Sequence, residues 1–146
     1  MNHSHSEHNH SENEESQELM FKASLIERHL QDLAEKIDYV SQQLAELEEF
    51  DKNLKFLKNV KGKDVFSSVG KGVYSRSSCT DDSLFVNVGA GVIVKKTPEE
   101  TSEIIKSQIK NFHEAKNTLM TQLEVYNGIM RQTINALSKM KEQQSQ

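Results

Sequence analysis

The chain has 146 residues, of which 35% are apolar and 27% charged, and its 18 basic and 22 acidic side chains give a formal net charge of -4. So little apolar material excludes a thick multilayer core, and the lack of a basic excess argues against a dedicated nucleic-acid-binding protein. One cysteine, Cys79, excludes an intrachain disulfide and favours a reducing compartment. Without a signal-peptide pattern or an apolar run of about 20 residues, we expect a cytoplasmic protein that does not enter a membrane.

Residues 1–17 form a polar tail rich in His and Glu, which we expect to be disordered and solubilising. His3, His5, His8 and His10 alternate with polar residues, and such a tract can bind transition metals weakly. The tract contains no cysteine and adjoins no structured partner. We therefore predict no dedicated metal site and no other cofactor.

Residues 18–60 carry a heptad pattern that predicts a first long helix. One seam position holds Leu19, Ile26, Leu33, Val40, Leu47 and Leu54. The companion position holds Ala23, Leu30, Ile37, Leu44 and then the polar Asp51. A helix-stop signal between Asn59 and Gly62 marks the predicted end.

Residues 62–96 change to glycine and β-branched residues and contain an internal repeat. The segment Asp64–Tyr74 aligns with Ser83–Ile93, and each copy places a Gly-x-Gly between two apolar runs. Each copy therefore predicts a β-hairpin. Two short hairpins are marginal in water, and their open edges invite pairing with other chains. This segment predicts oligomerisation through sheet edges.

Residues 97–142 return to heptads and predict a second long helix. One position holds Ile105, Phe112, Leu119, Tyr126, Thr133 and Met140. The other holds Ile109, Lys116, Leu123, Met130 and Leu137. Thr97 is a natural N-cap, Pro98 suits the first helical position, and Glu100 completes a capping box.

The two predicted helices have matching lengths of about 60–65 Å at 1.5 Å per residue. Because neither apolar seam can stay exposed, each helix needs a partner. A coiled coil between chains is one solution, but we favour an antiparallel hairpin within the chain, since the β segment between the helices is compact enough to reverse its direction.

No catalytic site is visible in the sequence. Neither Gly-x-Gly has the third glycine of a dinucleotide fingerprint or the Gly-Lys-Ser/Thr of a phosphate loop. Cys79 in a turn has no histidine near it in sequence, because His29 and His113 lie on the long helices. We therefore predict that the protein is not an enzyme.

Apolar residues at the helix ends suggest a binding surface. Leu19, Met20 and Phe21 are consecutive and cannot all enter one seam. An antiparallel hairpin brings them to Leu137 and Met140, at the end furthest from the β segment. Met and Phe suit adaptable contacts of low specificity. Ordinary seam residues near a fraying helix end are the alternative interpretation.

The order of these elements resembles the alpha-class subunits of the prefoldin family, of archaeal type. The resemblance covers residues 18–142 and is most specific over residues 85–100, FVNVGAGVIVKKTPEE, which look like the family's second hairpin and the start of its second helix. The first hairpin departs from the family in lacking a proline, and the His-rich tail is not an expected feature.

The resemblance implies a mainly α fold, in which a long antiparallel coiled-coil hairpin carries two central β-hairpins that form an oligomeric β-barrel platform. It implies a hexamer of two alpha-class and four beta-class subunits that holds unfolded client proteins without ATP and passes them to a group II chaperonin. The client-binding residues would be Leu19, Met20, Phe21, Leu137 and Met140. The platform residues would be Val65, Phe66, Val69, Val73, Tyr74, Leu84, Phe85, Val86, Val88, Val92, Ile93 and Val94.

Two other functions stay open from the sequence. A structural coiled-coil adaptor of another complex would share the fold without general affinity for unfolded chains. An RNA-binding arm could use the lysines between Lys52 and Lys63, although nearby Glu and Asp residues favour a solvated face.

Overall fold

The computed structural model of the chain describes the backbone of residues 4–144 and the side chains of residues 13–143. In chain order, one long helix precedes and another follows two small antiparallel hairpins, which confirms the predicted mainly α fold class. The elements in chain order are α1 (Ser4–Leu54), a 3₁₀ turn (Lys55–Leu57), β1 (Asp64–Gly70), β2 (Val73–Ser78), β3 (Leu84–Asn87), β4 (Ile93–Lys96) and α2 (Pro98–Gln144). The chain divides into a first unit, up to Val40 and from Ala115 onward, and a second unit, Ser41–Glu114.

Helix α1 differs from its predicted boundaries at both ends. It begins at Ser4 rather than at residue 18, so residues 4–17, expected as a disordered tail, are helical in the structure. This segment contains no Gly or Pro that would stop a helix. The helix ends at Leu54 and a 3₁₀ turn follows. Left-handed backbone at Asn59 (φ 63°) and Gly62 (φ 76°) then redirects the chain, at the predicted stop signal.

In the first unit, α1 and α2 run antiparallel and share a narrow apolar seam. Ile26, Leu33 and Val40 of α1 are buried, as the heptad pattern predicts. The ring of His29 lies 4.2 Å, centroid to centroid, from the ring of Tyr126 on α2. Thr133, a polar residue in the seam, is buried and donates its hydroxyl proton to the Ile129 carbonyl, 2.9 Å away. The seam therefore accommodates a polar residue without an unsatisfied group.

In the second unit, α1 and α2 are joined by both apolar and polar contacts. Leu44, Leu54 and Ile105 are buried. Asp51, the polar break in the α1 seam, accepts a 2.6 Å hydrogen bond from the Ser102 hydroxyl. This contact satisfies a carboxylate that would otherwise be left in an apolar seam.

The start of α2 has the predicted capping box. The Thr97 hydroxyl accepts a 3.1 Å hydrogen bond from the Glu100 amide, and the Glu100 carboxylate accepts a 2.9 Å bond from the Thr97 amide. Pro98 occupies the first helical position and is buried. The reciprocal bonds satisfy two amides at the helix terminus and set where the helix begins.

The strands form two separate two-stranded antiparallel sheets, β1–β2 and β3–β4. Both repeats close with the same turn. The φ angles of Gly70, Lys71 and Gly72 are 114°, 49° and 77°, and those of Gly89, Ala90 and Gly91 are 109°, 49° and 74°. Three successive left-handed residues suit a hairpin turn that matches strand twist, and two of the three are glycine in each copy.

Candidate functional site

A shallow apolar groove of about 400 Å³ lies in the first unit, where the early heptads of α1 meet the late heptads of α2. We call it the end groove, and its lining residues are Met20, Ala23, Ser24, Glu27, Met130, Ile134 and Leu137. Met20 is 51% exposed and Ile134 50% exposed, so the groove presents apolar side chains directly to solvent.

The structure brings together some of the predicted client-binding residues. Met20 and Leu137 line the end groove, as the antiparallel pairing predicts. Phe21 is 66% exposed but does not line the groove. Leu19 and Met140 are half-buried. Because α1 extends back to Ser4, residues 19–21 lie inside the helix rather than in its first turn.

Met130 and Ile134 were not among the predicted client-binding residues, although they line the same groove as Met20. Ile134 lies outside the two seam positions of α2, which explains why the seam pattern did not indicate it. A usable signal exists, since Met120, Asn127 and Ile134 recur every seven residues beside the seam. That signal becomes informative only when the facing residues of α1 are known.

The two hairpins of the second unit form an apolar surface that this chain does not cover. Of the twelve predicted platform residues, eight are exposed: Phe66, Val69, Val73, Tyr74, Phe85, Val88, Val92 and Ile93. The other four are half-buried: Val65, Leu84, Val86 and Val94. Phe66 is 79% exposed and Phe85 is 73% exposed, so neither ring contributes much buried apolar area to a single folded chain. An apolar surface of this kind is typical of an interface.

A second groove, of about 640 Å³, runs along β3 against both helices of the second unit. We call it the hairpin groove. Its helical wall consists of Phe50, Leu57, Thr101, Ile104, Ile105 and Gln108, and its strand wall of the residues from Leu84 to Val88. β3 bonds to β4 along one edge, and its other edge has no strand partner among the described residues. Unpaired backbone beside apolar side chains is suited to receiving a strand of another chain.

Among the described side chains, three Lys or Arg ion pairs join separate segments of the second unit. Arg76 bonds Asp64 across the first hairpin, Lys95 bonds Asp81 at 2.9 Å, and Lys58 bonds Glu99 at 3.0 Å. The hydrogen bond from Lys95, helped by the Ser83 amide, holds the pKa of Asp81 below its ordinary value. The hydrogen bond from Lys58 likewise lowers the pKa of Glu99. These pairs join the linker between the hairpins to β4, and the residue after the 3₁₀ turn to the start of α2.

Cys79, His113 and His29, which the sequence offered as candidates for catalysis, each take part in a structural contact. The backbone of Cys79 pairs with Gly62 and Lys63, which extends the β1–β2 ladder. His113 lies 3.5 Å from the Glu48 carboxylate, and the ring of His29 packs at a tilt of 58° against the ring of Tyr126. Across the side chains of residues 13–143, no three His, Cys, Asp or Glu residues gather as metal ligands.

The histidine tract of the tail, His3, His5, His8 and His10, lies outside the described side chains. Over the part of the chain that is described, neither long helix has an apolar stretch sufficient to cross a membrane. The lysines at 52, 55, 58, 61 and 63 are all exposed. One of them, Lys58, is neutralised by Glu99.

Comparison with known proteins gives one consistent family. The family model described as Prefoldin, a prefoldin subunit, matches residues 26–143. "Prefoldin subunit alpha" of Methanosphaera stadtmanae is 21% identical over 91 residues, which are 62% of this chain and 66% of that protein. "Prefoldin subunit alpha 2" of Thermococcus kodakarensis is 28% identical over 81 residues, 55% of this chain and 57% of that protein. The aligned part is thus less than two thirds of either relative's length.

A solved structure shares the fold. The chain resembles a subunit in the cryo-EM structure of filamentous PFD from Methanocaldococcus jannaschii, with a TM-score of 0.68 and 20% sequence identity. The match covers 77% of this chain and 95% of that one. At this level of identity the likeness establishes the fold, and the function must be argued from the surfaces described above.

Proposed function

The chain belongs to the prefoldin family of chaperone subunits, as an alpha-type member, and we propose that it holds unfolded proteins without ATP at the end of its coiled coil. The observation that carries the proposal is the open end groove, where Met20, Met130 and Leu137 meet; Phe21, the residue after Met20, is also exposed. The apolar side chains of an open groove are in unfavourable contact with water. A bound apolar segment would remove them from water, which favours binding.

The chemistry of the end groove suits many clients rather than one. Methionine is unbranched and polarizable, so it adapts to side chains of different shapes. Glu27 is the one charged residue of its lining, so few fixed polar contacts would select a particular partner. Individual binding would be weak. Several such ends on one oligomer would raise the overall affinity through multivalent capture.

Both Gly-x-Gly motifs support a mechanism without nucleotide. Each forms the left-handed turn of a β-hairpin, so neither opens a helix whose N-terminus could bind a phosphate. We expect neither ATP nor another cofactor in the holding step, and no catalysis.

Assembly through the hairpins completes the proposal. The exposed platform residues and the free edge of β3 favour strand pairing with other chains, and a partner strand would also cover the hairpin groove. By family resemblance the partners are beta-class subunits, in a hexamer of two alpha and four beta chains. That hexamer would act in the cytoplasm and deliver clients to a group II chaperonin, without engaging nucleic acid or membrane.

The test is the aggregation of a denatured client diluted into buffer with the assembled oligomer and no nucleotide, followed by light scattering. We expect wild-type chain to suppress aggregation and the variant Leu19→Ser/Met20→Ser/Phe21→Ser to lose most of that effect. The matched control is Tyr39→Ser/Val125→Ser, which removes apolar side chains that are 61% and 55% exposed on the same two helices. An intact oligomer that never suppresses aggregation would instead favour the structural adaptor.

A further inference from the structure

The methionines of the chain are unevenly distributed between the two units. Besides Met1, the chain has four methionines, and all of them lie in the first unit: Met20, Met120, Met130 and Met140. The second unit, Ser41–Glu114, carries both hairpins and contains no methionine. A reagent that attacks thioethers would therefore change side chains of the coiled coil and none of the hairpins.

Two of these methionines line the end groove, one from each helix. Met20 of α1 is 51% exposed, and Met130 of α2 is half-buried. The other lining residues are Ala, Ser, Glu, Ile and Leu, whose side chains contain no sulfur for a mild peroxide to oxidise. The reactive atoms of the end groove are thus its two thioether sulfurs, and the side chain of Met20 is open to a small oxidant in solvent.

A hydroperoxide alone balances the reaction at such a sulfur. The Sδ lone pair attacks the terminal peroxide oxygen, so that an S–O bond forms as the O–O bond breaks. The proton of the attacked oxygen passes to the leaving oxygen, which departs as water or as an alcohol. The sulfur gives up two electrons and the peroxide gains them. Methionine sulfoxide reductases return the product to the thioether.

The sulfoxide would change the character of the end groove. It replaces a flexible apolar side chain by a polar one whose oxygen accepts hydrogen bonds. The Ser24 hydroxyl is the one donor among the lining side chains when Glu27 is ionised, so a sulfoxide oxygen would be hydrated by water. An apolar client segment would displace that water without replacing its hydrogen bonds, which weakens binding. The coiled coil itself should persist, because neither methionine is among the buried seam residues.

We propose that Met20 and Met130 form a modification site, at which a hydroperoxide produces methionine sulfoxide and thereby closes the end groove to apolar segments. This inference rests on the proposed holding function and adds its regulation. An oxidised chain would still assemble through its hairpins, because they contain no methionine. It would not hold clients until a reductase restored the thioethers.

The first experiment locates the modification. The Cys79→Ser chain lacks the competing thiol of the second unit, and it is treated with dilute hydrogen peroxide. Tandem mass spectrometry of proteolytic fragments then follows the oxidation of each methionine. We expect Met20 to react nearly as fast as in the denatured chain and Met130 to react more slowly, since it is half-buried. Protection of Met20 by about tenfold or more relative to the denatured chain would overturn the proposal.

The second experiment measures the effect on clients. The oxidised chain is freed of peroxide, assembled with untreated partner subunits and tested in the aggregation assay, and each protein is compared with its own untreated sample. For Cys79→Ser, we expect oxidation to raise the concentration needed for suppression about tenfold and a methionine sulfoxide reductase to reverse the change. With Met20→Leu/Met130→Leu added, oxidation should change that concentration less than about twofold. Equal losses with and without the two leucines would contradict the proposal.

Two controls restrict the effect to the end groove. Met120→Leu/Met140→Leu removes the other two methionines of the first unit, neither of which lines the end groove. In the Cys79→Ser background this variant should remain as sensitive to peroxide as the parent, and resistance would place the modification elsewhere and contradict the proposal. Sedimentation should show the same oligomer for oxidised and untreated chains. Loss of assembly on oxidation would contradict it equally.

Binding of Nile red, a neutral apolar dye, to the full chain separates this inference from the holding function. Met20→Leu/Met130→Leu corrects for dye bound away from the groove. If the untreated oligomer suppresses aggregation and oxidation changes neither suppression nor dye fluorescence, the modification site is wrong and the holding function stands. If the untreated oligomer never suppresses aggregation but oxidation lowers dye binding by the parent and not by the leucine variant, the holding function is wrong and the modification site stands. If neither change is seen, both are wrong.

Discussion

The two hairpins share a turn but differ in what their strands contact. Their Gly-x-Gly turns have φ angles that agree within a few degrees at each position. In the first hairpin only Val65 and its partner Ser77 are half-buried among the strand residues. In the second, Leu84, Val86, Val94 and Lys96 are half-buried on one face, and β3 lines the hairpin groove with helix residues.

The difference shows that the turn and the packing of a hairpin have separate causes. Glycine at two left-handed positions makes the turn in both copies. The first hairpin then relies on polar cross-strand contacts, such as the 3.1 Å bond between the hydroxyls of Ser67 and Ser77. In the second hairpin, half-buried residues alternate with exposed ones, so that one face can pack on the helices. The first hairpin therefore packs less on the helices of its own chain than the second does.

The largest expected effect is on assembly. Phe85→Ser should weaken association with a beta-class partner by about 2 kcal/mol, close to thirtyfold, because an aromatic residue at the mouth of a groove is typical of an interface hot spot. Phe66→Ser, in the first hairpin, should have a smaller effect, since Phe66 is not in the lining of the hairpin groove. Sedimentation of the mixed subunits measures both. Equal losses would show that the two hairpins contribute alike to the interface.

Stability of the chain itself should respond to the second hairpin more than to the first. Leu84→Ala should lower the free energy of unfolding by about 1–2 kcal/mol, since it shortens a half-buried side chain that lines the hairpin groove opposite the helical wall. Val69→Ala, at a residue that is 69% exposed in the first hairpin, should change it by less than about 0.5 kcal/mol. Thermal unfolding followed by circular dichroism distinguishes them, and an equal shift would mean that both hairpins pack on the helices.

The shared turn predicts equal effects in the two hairpins. Gly72→Ala and Gly91→Ala should each destabilise by about 1 kcal/mol, because a Cβ is disfavoured at φ near 77° and 74° although it would meet no atom within 4 Å. Gly128→Ala is the matched control, for which we expect the opposite effect on stability. It lies inside α2 with the same open space, so it should stabilise by about 0.5–1 kcal/mol. Unequal effects of the two turn variants would break the equivalence.

The smallest expected effect is on the thermal stability of the chain at acidic pH. The pKa of Asp81 in the folded chain is lowered, so the carboxylate stabilises the fold above its ordinary pKa of about 4, and this contribution is lost as the pH falls through the lowered value. Asp81→Asn should therefore reduce the unfolding temperature slightly at pH 7 and by progressively less as the pH falls below about 4. Since Asp81 is at the surface, we expect the difference to shrink in high salt. A constant difference across this pH range would exclude the ion pair with Lys95 as its cause.

Much of the fold was predictable because its determinants are local. The capping box at Thr97, the hairpin turns and the buried heptad positions at Ile26, Leu33 and Val40 agree with the structure. The start of α1 could not be predicted, because a polar segment without Gly or Pro is compatible both with a disordered tail and with the helix that begins at Ser4. The candidate client site was predicted in part, through Met20 and Leu137 but not Met130 or Ile134.

The sequence by itself determined where the hairpin turns lie and where α2 begins, since caps and glycines act over a few residues. The tertiary structure alone decided which side chains share a surface. Whether Met20 meets Ile134 in one groove, or Asp51 meets Ser102, depends on how two helices far apart in the chain are aligned. That alignment is set by the summed packing of the whole seam. The recurrence of Met120, Asn127 and Ile134 was readable in the sequence, but only the structure showed that Met120 and Ile134 stay exposed.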